Sequence, residues 1–332
     1  MSVVAERLSQ VTLGEPQVYK NLVLFPLIAE GNVEPRYQLL DDALAQGSAR
    51  VTEVSESGSV PELKFSNVGD RPVLLLDGEE LVGAKQNRIL NLTVMAPANK
   101  TIVIPVSCVE SGRWRAESHE FVSAMRTHYA AGRARKAANV SESLSTSGTR
   151  HSDQGEVWAD ISEKSIRMES VSSTGAAAAM YDTHRASLDD YLRAFSAIEN
   201  QAGALFCING KVVGFDLFDS AETLSSLLPK LVQSFALDAI DAGDQESKAE
   251  KETAGKLIED AANATVERFP AVGEGDDLRL RGEHLSGGAL VVEERIVHLC
   301  VFHLRDENRT DSGERKGRIA RASMRRRGRI VE

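Results

Sequence analysis

Apolar positions in the first third of the chain fall into short runs separated by turn residues. Asn21 to Ile28 reads as a strand, Ala49 to Glu56 alternates around Val51 and Val54, and Pro72 to Leu76 is apolar throughout. Asp77-Gly78 follows, a pair typical of hairpin turns because both residues tolerate positive φ. Arg88 to Met95 and Thr101 to Val109 form a further pair across the turn-like Ala96 to Lys100. Pro105 cannot donate to a ladder, which predicts an edge or a bulge there. The spacing predicts a meander of about six strands.

The period then changes. Glu117 to Ala138 is rich in helix formers, and Asn139 to Asp153, dominated by Ser, Thr and Gly, reads as a flexible loop. Helical spacing resumes over Gln154 to Val171, and Ser187 reads as the cap of a helix presenting Leu188, Tyr191, Leu192, Phe195 and Ile198. Ala204 to Ile208 and Lys211 to Phe218 flank Asn209-Gly210 as a second hairpin. Ser220 opens a helix bearing Leu224, Leu227, Leu228, Leu231 and Phe235, with a bend expected at Pro229. A helix is expected over Ser247 to Phe269, and strands over Asp277 to Leu304. This order predicts an α+β fold: an antiparallel β-rich part (15–115), a helical part (116–200) and a mixed hairpin, helix and sheet part (201–305). Together they read as one large domain, 15–305, followed by a basic tail, 306–332.

Composition narrows the chemistry. At 332 residues and 42% hydrophobic, the chain can bury a core without staples. Cys108, Cys207 and Cys300 are odd in number and far apart, so each reads as a small buried hydrophobe; neither a disulfide framework nor a zinc cluster is indicated. The histidines lack metal-ligand spacing, and His298 and His303, five apart on a strand, should face opposite sides. No metal site is expected. Met1 to Gln10 lacks the apolar core of a signal peptide, and no apolar run reaches the ~18–20 residues of a membrane span. Cytoplasmic localisation without membrane contact is the expectation. The net charge of −10 conceals a tail, Arg315 to Arg329, with eight basic residues and no acid. That tail is expected to be solvated or to dock on its own acidic body, ahead of contact with a polyanion. No phosphate loop, dinucleotide fingerprint or nucleophile elbow is present, so no cofactor is specified.

One segment is dense in polar groups between apolar strands. Asp77 to Arg88 gathers Glu79, Glu80, Gly83, Lys85, Gln86, Asn87 and Arg88. Carboxylates can act as bases or cation ligands, Lys and Arg hold phosphate or carboxylate, and Gly83 would let the backbone approach a ligand closely. A solvated hairpin with charges paired across strands is the alternative. Two weaker candidates stand beside it. Lys211 and Asp216 lie on the second hairpin, where Asp219 or Ser220 is accounted for as a helix N-cap. Glu156 and Trp158 open a helix, where the acid suits the helix dipole and the indole is most simply a packing anchor.

Several segments in order carry a resemblance: Asp77 to Arg88, Ile104 to Trp114, Gln154 to Trp158, Ile208 to Ser220 and Leu285 to Ala289. With these the chain resembles the ARPP-1 family, a domain associated with ADP-ribosylglycohydrolase and rhodanese-phosphatase proteins, from about Asn21 to His303. The resemblance implies a link to NAD or ADP-ribose metabolism by association and assigns no residue a role. The reading it suggests is a domain that binds or processes a small anionic, nucleotide-derived ligand. Lys85 and Arg88 would hold phosphate, Gln86 and Asn87 would orient the ligand, and Glu79 or Glu80 would serve as base or cation ligand. The alternative is a non-catalytic interaction or regulatory module with the polar hairpin as partner surface. Whether the protein is an enzyme, and its oligomeric state, stay open at this point.

Overall fold

The computed structural model describes residues 2–29, 33–116, 118–245 and 249–304. The expected basic tail, 306–332, lies outside these residues. In chain order the first elements are α1 (Val3–Ser9), β1 (Val11–Leu13), β2 (Gln17–Tyr19), β3 (Leu22–Ala29), β4 (Gln38–Leu39), α2 (Leu40–Ala45), β5 (Ala49–Glu53) and β6 (Glu62–Asn67). Next come β7 (Val73–Leu75), β8 (Glu79–Gly83), β9 (Arg88–Leu90), β10 (Val94–Ala96), β11 (Lys100–Cys108) and β12 (Phe121–Thr127). Four helices follow: α3 (Ala130–Ser147), α4 (Gln154–Arg167), α5 (Ala178–Thr183) and α6 (Arg185–Ala194). The last are β13 (Gln201–Ile208), β14 (Lys211–Phe218), α7 (Ala221–Ala242), α8 (Lys251–Ala262), β15 (Thr265–Pro270), β16 (Asp276–Arg281), β17 (Leu285–Val292) and β18 (Arg295–His303). The fold is α+β, with a strand-rich N-terminal region.

Two β bodies dominate. The larger is a nine-stranded antiparallel sheet ordered β1-β3-β13-β14-β18-β17-β16-β15, with β2 also paired to β3. Its central strands are apolar on both faces because both are covered. Leu22 and Leu24 of β3 and Ala204, Phe206 and Ile208 of β13 join the core under α7, α6 and α4, where Phe206 stacks on Phe235 at 4.0 Å. The alternate residues Val23, Phe25, Leu27, Leu205 and Cys207 pack instead on α1 and α8. The smaller body is a closed barrel of six strands, β11-β6-β5-β12-β8-β9, filled by Val51, Leu63, Phe65, Leu81, Leu90, Ile104, Val106 and Phe121. A three-stranded sheet, β10-β7-β4, lies beside it, with β4 and β7 parallel.

Several sequence expectations shift. Asp77-Gly78 is a turn with Gly78 at φ +81°, but it joins no hairpin: β7 pairs with β10 and β4, whereas β8 belongs to the barrel. The true hairpin is β8–β9, turning at residues 84–87. Residues 121–127, expected to be helical, form β12, because pairing with β8 and β5 closes the barrel and overrides local propensity. The expected loop 139–153 is helical as far as Ser147. Val140 and Leu144 are buried there, and Ser141, Ser145, Thr146 and Ser147 donate their hydroxyls back to carbonyls four residues earlier. Gly148, left-handed at φ +69°, ends the helix. Ser187 lies inside α6 and does not cap it, whereas Ser220 does cap α7 through the Glu222 N–H. Pro229 sits within α7, which continues through it. The helix expected over 247–269 is shorter, because 265–270 pairs with β16 as a strand. All three cysteines are buried and unbridged, and His298 is buried while His303 is exposed. No helix among the described residues is long and apolar enough to cross a membrane.

Candidate functional site

The register of the barrel strands brings one set of side chains to a single end. Cys108 pairs with Arg88, Arg88 with Leu81, Gly83 with Phe121, and Glu53 with Leu63. Leu63, Leu81 and Phe121 face the barrel interior, so Arg88, Cys108 and Glu53 share that inward face at the barrel mouth. Arg88 is 0% exposed. One guanidinium nitrogen donates to Gln86 Oε1 at 3.1 Å, but Nε and the second amino group meet no acceptor. Burial pushes the guanidinium below its ordinary value, with Cys108 and Glu53 acting in the opposite sense. Oε2 of Glu53 is likewise buried without a partner, while its Oε1 accepts from the Lys85 N–H at 3.3 Å.

The rim of the mouth is built from two further segments. Gln154, opening α4 behind an Asp153 N-cap, accepts from the Cys108 N–H and donates to the Cys108 carbonyl, both at 2.8 Å, as a neighbouring strand would. Trp158, one turn on, has a buried indole N–H directed at the Cys108 thiol, which it acts on as a hydrogen-bond donor. Across the mouth, the half-exposed Trp114 ring lies 5.8 Å from the Arg88 guanidinium carbon and 5.4 Å from Lys85 Nζ. Lys85 Nζ donates to the Glu56 and Ser57 carbonyls at 2.6 Å each, fastening the turn after β5. Arg113 holds the 84–88 turn by donating to the Ala84 carbonyl, Asn87 Oδ1 and Glu110 Oε2 at 2.6, 3.1 and 2.7 Å. Burial alone would raise the Glu110 carboxyl. Hydrogen bonds from Arg113, Thr174 and the Asn87 N–H hold it below the usual range.

The remaining polar-segment residues serve the protein's own structure. Glu79 pairs with Lys230 of α7 at 2.5 Å, and Lys230 also reaches Asp41 at 2.6 Å. Glu80 is clasped by Arg126 through two bonds of 2.6 and 3.1 Å. Neither acid is available as a base or cation ligand, because each is buried against a matched cation. Gln86 donates to the Glu110 carbonyl, and Asn87 is engaged by Arg113 and Glu110. What Gly83 admits is the chain itself: a Cβ there would lie 2.7 Å from Ser118 Oγ and 2.8 Å from the Glu120 carbonyl, at φ +133°. Glu156 is exposed and accepts from Asn139 at 2.8 Å. Lys211 is exposed at the opposite end of β14 from Asp216, so the structure does not bring them together.

Asp216 is the centre of a second buried cluster. Arg133 clasps it with bonds of 2.6 and 3.1 Å and also reaches Asp77 at 3.3 Å, while Lys136 pairs with Asp77. His298 Nε2 lies 3.1 Å from Asp216 Oδ1, and its Nδ1 lies 2.8 Å from Thr93 Oγ1. Thr93 Oγ1 accepts from the Asp77 N–H at 3.0 Å, leaving its own proton for Nδ1, so the Nε2–H faces Asp216. Burial would raise the Asp216 carboxyl, but Arg133 and His298 bring it down to about 2. The donor atoms of Asp216, His298 and Cys300 lie within 4.8 Å of one another, a spacing compatible with a metal. Arg133 already takes both carboxylate oxygens, however, and burial lifts the Cys300 thiol to about 12, so an ion would have to displace a satisfied pair.

Of the candidates singled out in the sequence, the structure places Arg88, Lys85 and Trp158 around the mouth. Sequence reasoning missed Glu53, Arg126, Arg133, Lys136 and Lys230, whose roles depend on contacts distant along the chain. Cys108, Arg113 and Trp114 had a signal, since they lie in the second resemblance segment, and the first three segments meet at the mouth.

A family model described as the ARG and Rhodanese-Phosphatase-superfamily-associated Protein domain matches residues 10–302. Comparisons with curated proteins and with solved structures gave no match.

Proposed function

The chain belongs to the ARPP-1 family, and from that premise we propose that it binds a small anionic, nucleotide-derived ligand such as an ADP-ribose derivative at the barrel mouth. One observation carries this reading: the Arg88 guanidinium is fully buried with two donor nitrogens unmatched. Leaving buried donors unsatisfied costs about 1–3 kcal/mol or more for a charged group. A phosphate or carboxylate would supply two parallel acceptors and the missing counter-charge. The Trp158 indole N–H lies beside the Cys108 thiol and acts on it as a hydrogen-bond donor, and the half-exposed Trp114 ring offers a surface for a base ring. The family's association with ADP-ribosylglycohydrolases supports the nucleotide-derived class.

The test is thermal unfolding of the full chain with millimolar ADP-ribose, for the native protein and Arg88→Met. Binding at a hundred times Kd stabilises by about 2.7 kcal/mol. The native protein should show such a shift and Arg88→Met should not, with circular dichroism confirming that the variant folds. No shift in the native protein would sink the reading.

A second reading, a non-catalytic interaction or regulatory module, draws on the internal pairing of Glu79, Glu80, Gln86 and Asn87. It expects Arg88→Met to leave ligand response absent in both proteins and stability equal or higher, since an uncompensated buried charge has been removed.

A further inference from the structure

Two acids among the described residues act on the Arg88 guanidinium without an ion pair to it: Glu110, which is bound to Arg113, and Glu53 on the inward face of the barrel. Glu53 ends β5 on the same inward face as Arg88, it weighs on the guanidinium electrostatically, and no ion pair joins the two. Its Oε1 is fixed by the Lys85 N–H, which orients the carboxylate. Oε2 is left as a buried acceptor with no donor, packed against Gly58, where a Cβ would lie 3.3 Å away. Gly58, at φ +76°, and Lys85 Nζ, bound to the carbonyls of residues 56 and 57, hold this turn over the acid. The mouth therefore contains two unmatched donors on Arg88 and an unmatched acceptor on Glu53.

A bare oxyanion satisfies only half of that set and would bring like charge towards Glu53. We infer that Glu53 is the specificity-determining residue of the mouth, and that the ligand it selects joins an oxyanion to a hydroxyl or ammonium donor, as sugar phosphates and amino-alkyl phosphates do. This rests on the proposed binding of an anion at Arg88 and adds the second group that the ligand must carry. A site built to hydrogen-bond such a donor rejects analogues that lack it, because its own buried group is then left unpaired. The carboxylate also explains why the mouth can keep Arg88 unneutralised: an intruding phosphate ion meets a repulsive group that the correct ligand bonds.

The experiment is titration calorimetry on the full chain with inorganic phosphate, ribose 5-phosphate and 2-aminoethyl phosphate. Native protein should bind at least one of the two esters about tenfold or more tightly than inorganic phosphate, the yield of one hydrogen bond to a charged acceptor. Which ester wins distinguishes a hydroxyl from an ammonium donor. Glu53→Gln should lose that preference while keeping or tightening its hold on inorganic phosphate, and Arg88→Met should lose all three. Equal, Arg88-dependent affinity for the three in native protein would overturn the role of Glu53 while leaving anion binding at Arg88 standing. Absence of Arg88-dependent binding would remove both. If Glu53→Gln melts earlier yet keeps the native preference, Glu53 is only a counter-ion to Arg88 and the inference falls. The ligand series on native protein decides the matter even where a variant does not fold, and Glu53→Asp, which withdraws the carboxylate by one methylene, gives a second variant.

Discussion

Asp216 is fully buried between a guanidinium and an imidazole, and its titration sets an acid limit on the fold. Its folded-state value of about 2 lies below the ~3.9 of an unfolded aspartate. The sign follows directly: the group contributes its stability in full above pH ~4 and loses it as pH falls from there towards 2. Urea unfolding from pH 5 to pH 2 should show that loss, and Asp216→Asn should flatten it. Removing one member of a buried pair costs about 3–5 kcal/mol, so Arg133→Met and Asp216→Asn should each destabilise by that order. The double variant should cost less than the sum of the two, because neither charge is then left alone. These two residues bind nothing but each other and their neighbours, whereas Arg88 has no matching acid. At the scale of single side chains, that contrast separates cement from site.

Among the elements, α3 shows what composition conceals. Residues 139–147 look like a linker by their serines and threonines, yet Val140 and Leu144 keep the helical period and pack on the barrel core. Leu144→Ala should therefore cost about 2–5 kcal/mol in chemical denaturation, as for a core leucine. A residue on a loose loop would cost under about 0.5 kcal/mol. Gly83 gives a second check. Gly83→Ala forces a Cβ against Ser118 and the Glu120 carbonyl at φ +133°, a strain of about 1–3 kcal/mol readable in the same assay. The strand runs, the Asn209-Gly210 hairpin and the Ser220 cap were legible because each is decided by neighbours in sequence. Residues 121–127 were not, since their strand state depends on closing the barrel against β8. Nor were the partners of Glu79 and Glu80, because Lys230 and Arg126 lie 151 and 46 residues away.

At the scale of the whole molecule, the sequence made the α+β class readable and left the division into barrel and sheet hidden. A meander and a closed barrel have the same apolar alternation; the non-sequential pairings β11–β6, β12–β5 and β12–β8 distinguish them. The order of the large sheet has a kinetic meaning. β3 and β13 are neighbours along their whole length, and the Ala29 N–H bonds to the Asn200 carbonyl, yet the entire barrel and five helices lie between them in sequence. Closing so long a chain segment before its contacts are made is entropically unfavourable, so this seam should zip late. Leu205, buried against Phe25 across it, is the place to look. If the seam forms after the barrier, a 2 kcal/mol loss from Leu205→Ala would appear as roughly thirty-fold faster unfolding with the refolding rate nearly unchanged, measured by stopped-flow denaturant jumps. A nearly unchanged unfolding rate with slowed refolding would place the seam in the nucleus instead. With the seam formed late, the centre of the sheet acts as a clasp: the last thing fastened in folding and the first released, holding the inserted barrel at its two ends like a bead tied into a loop of thread.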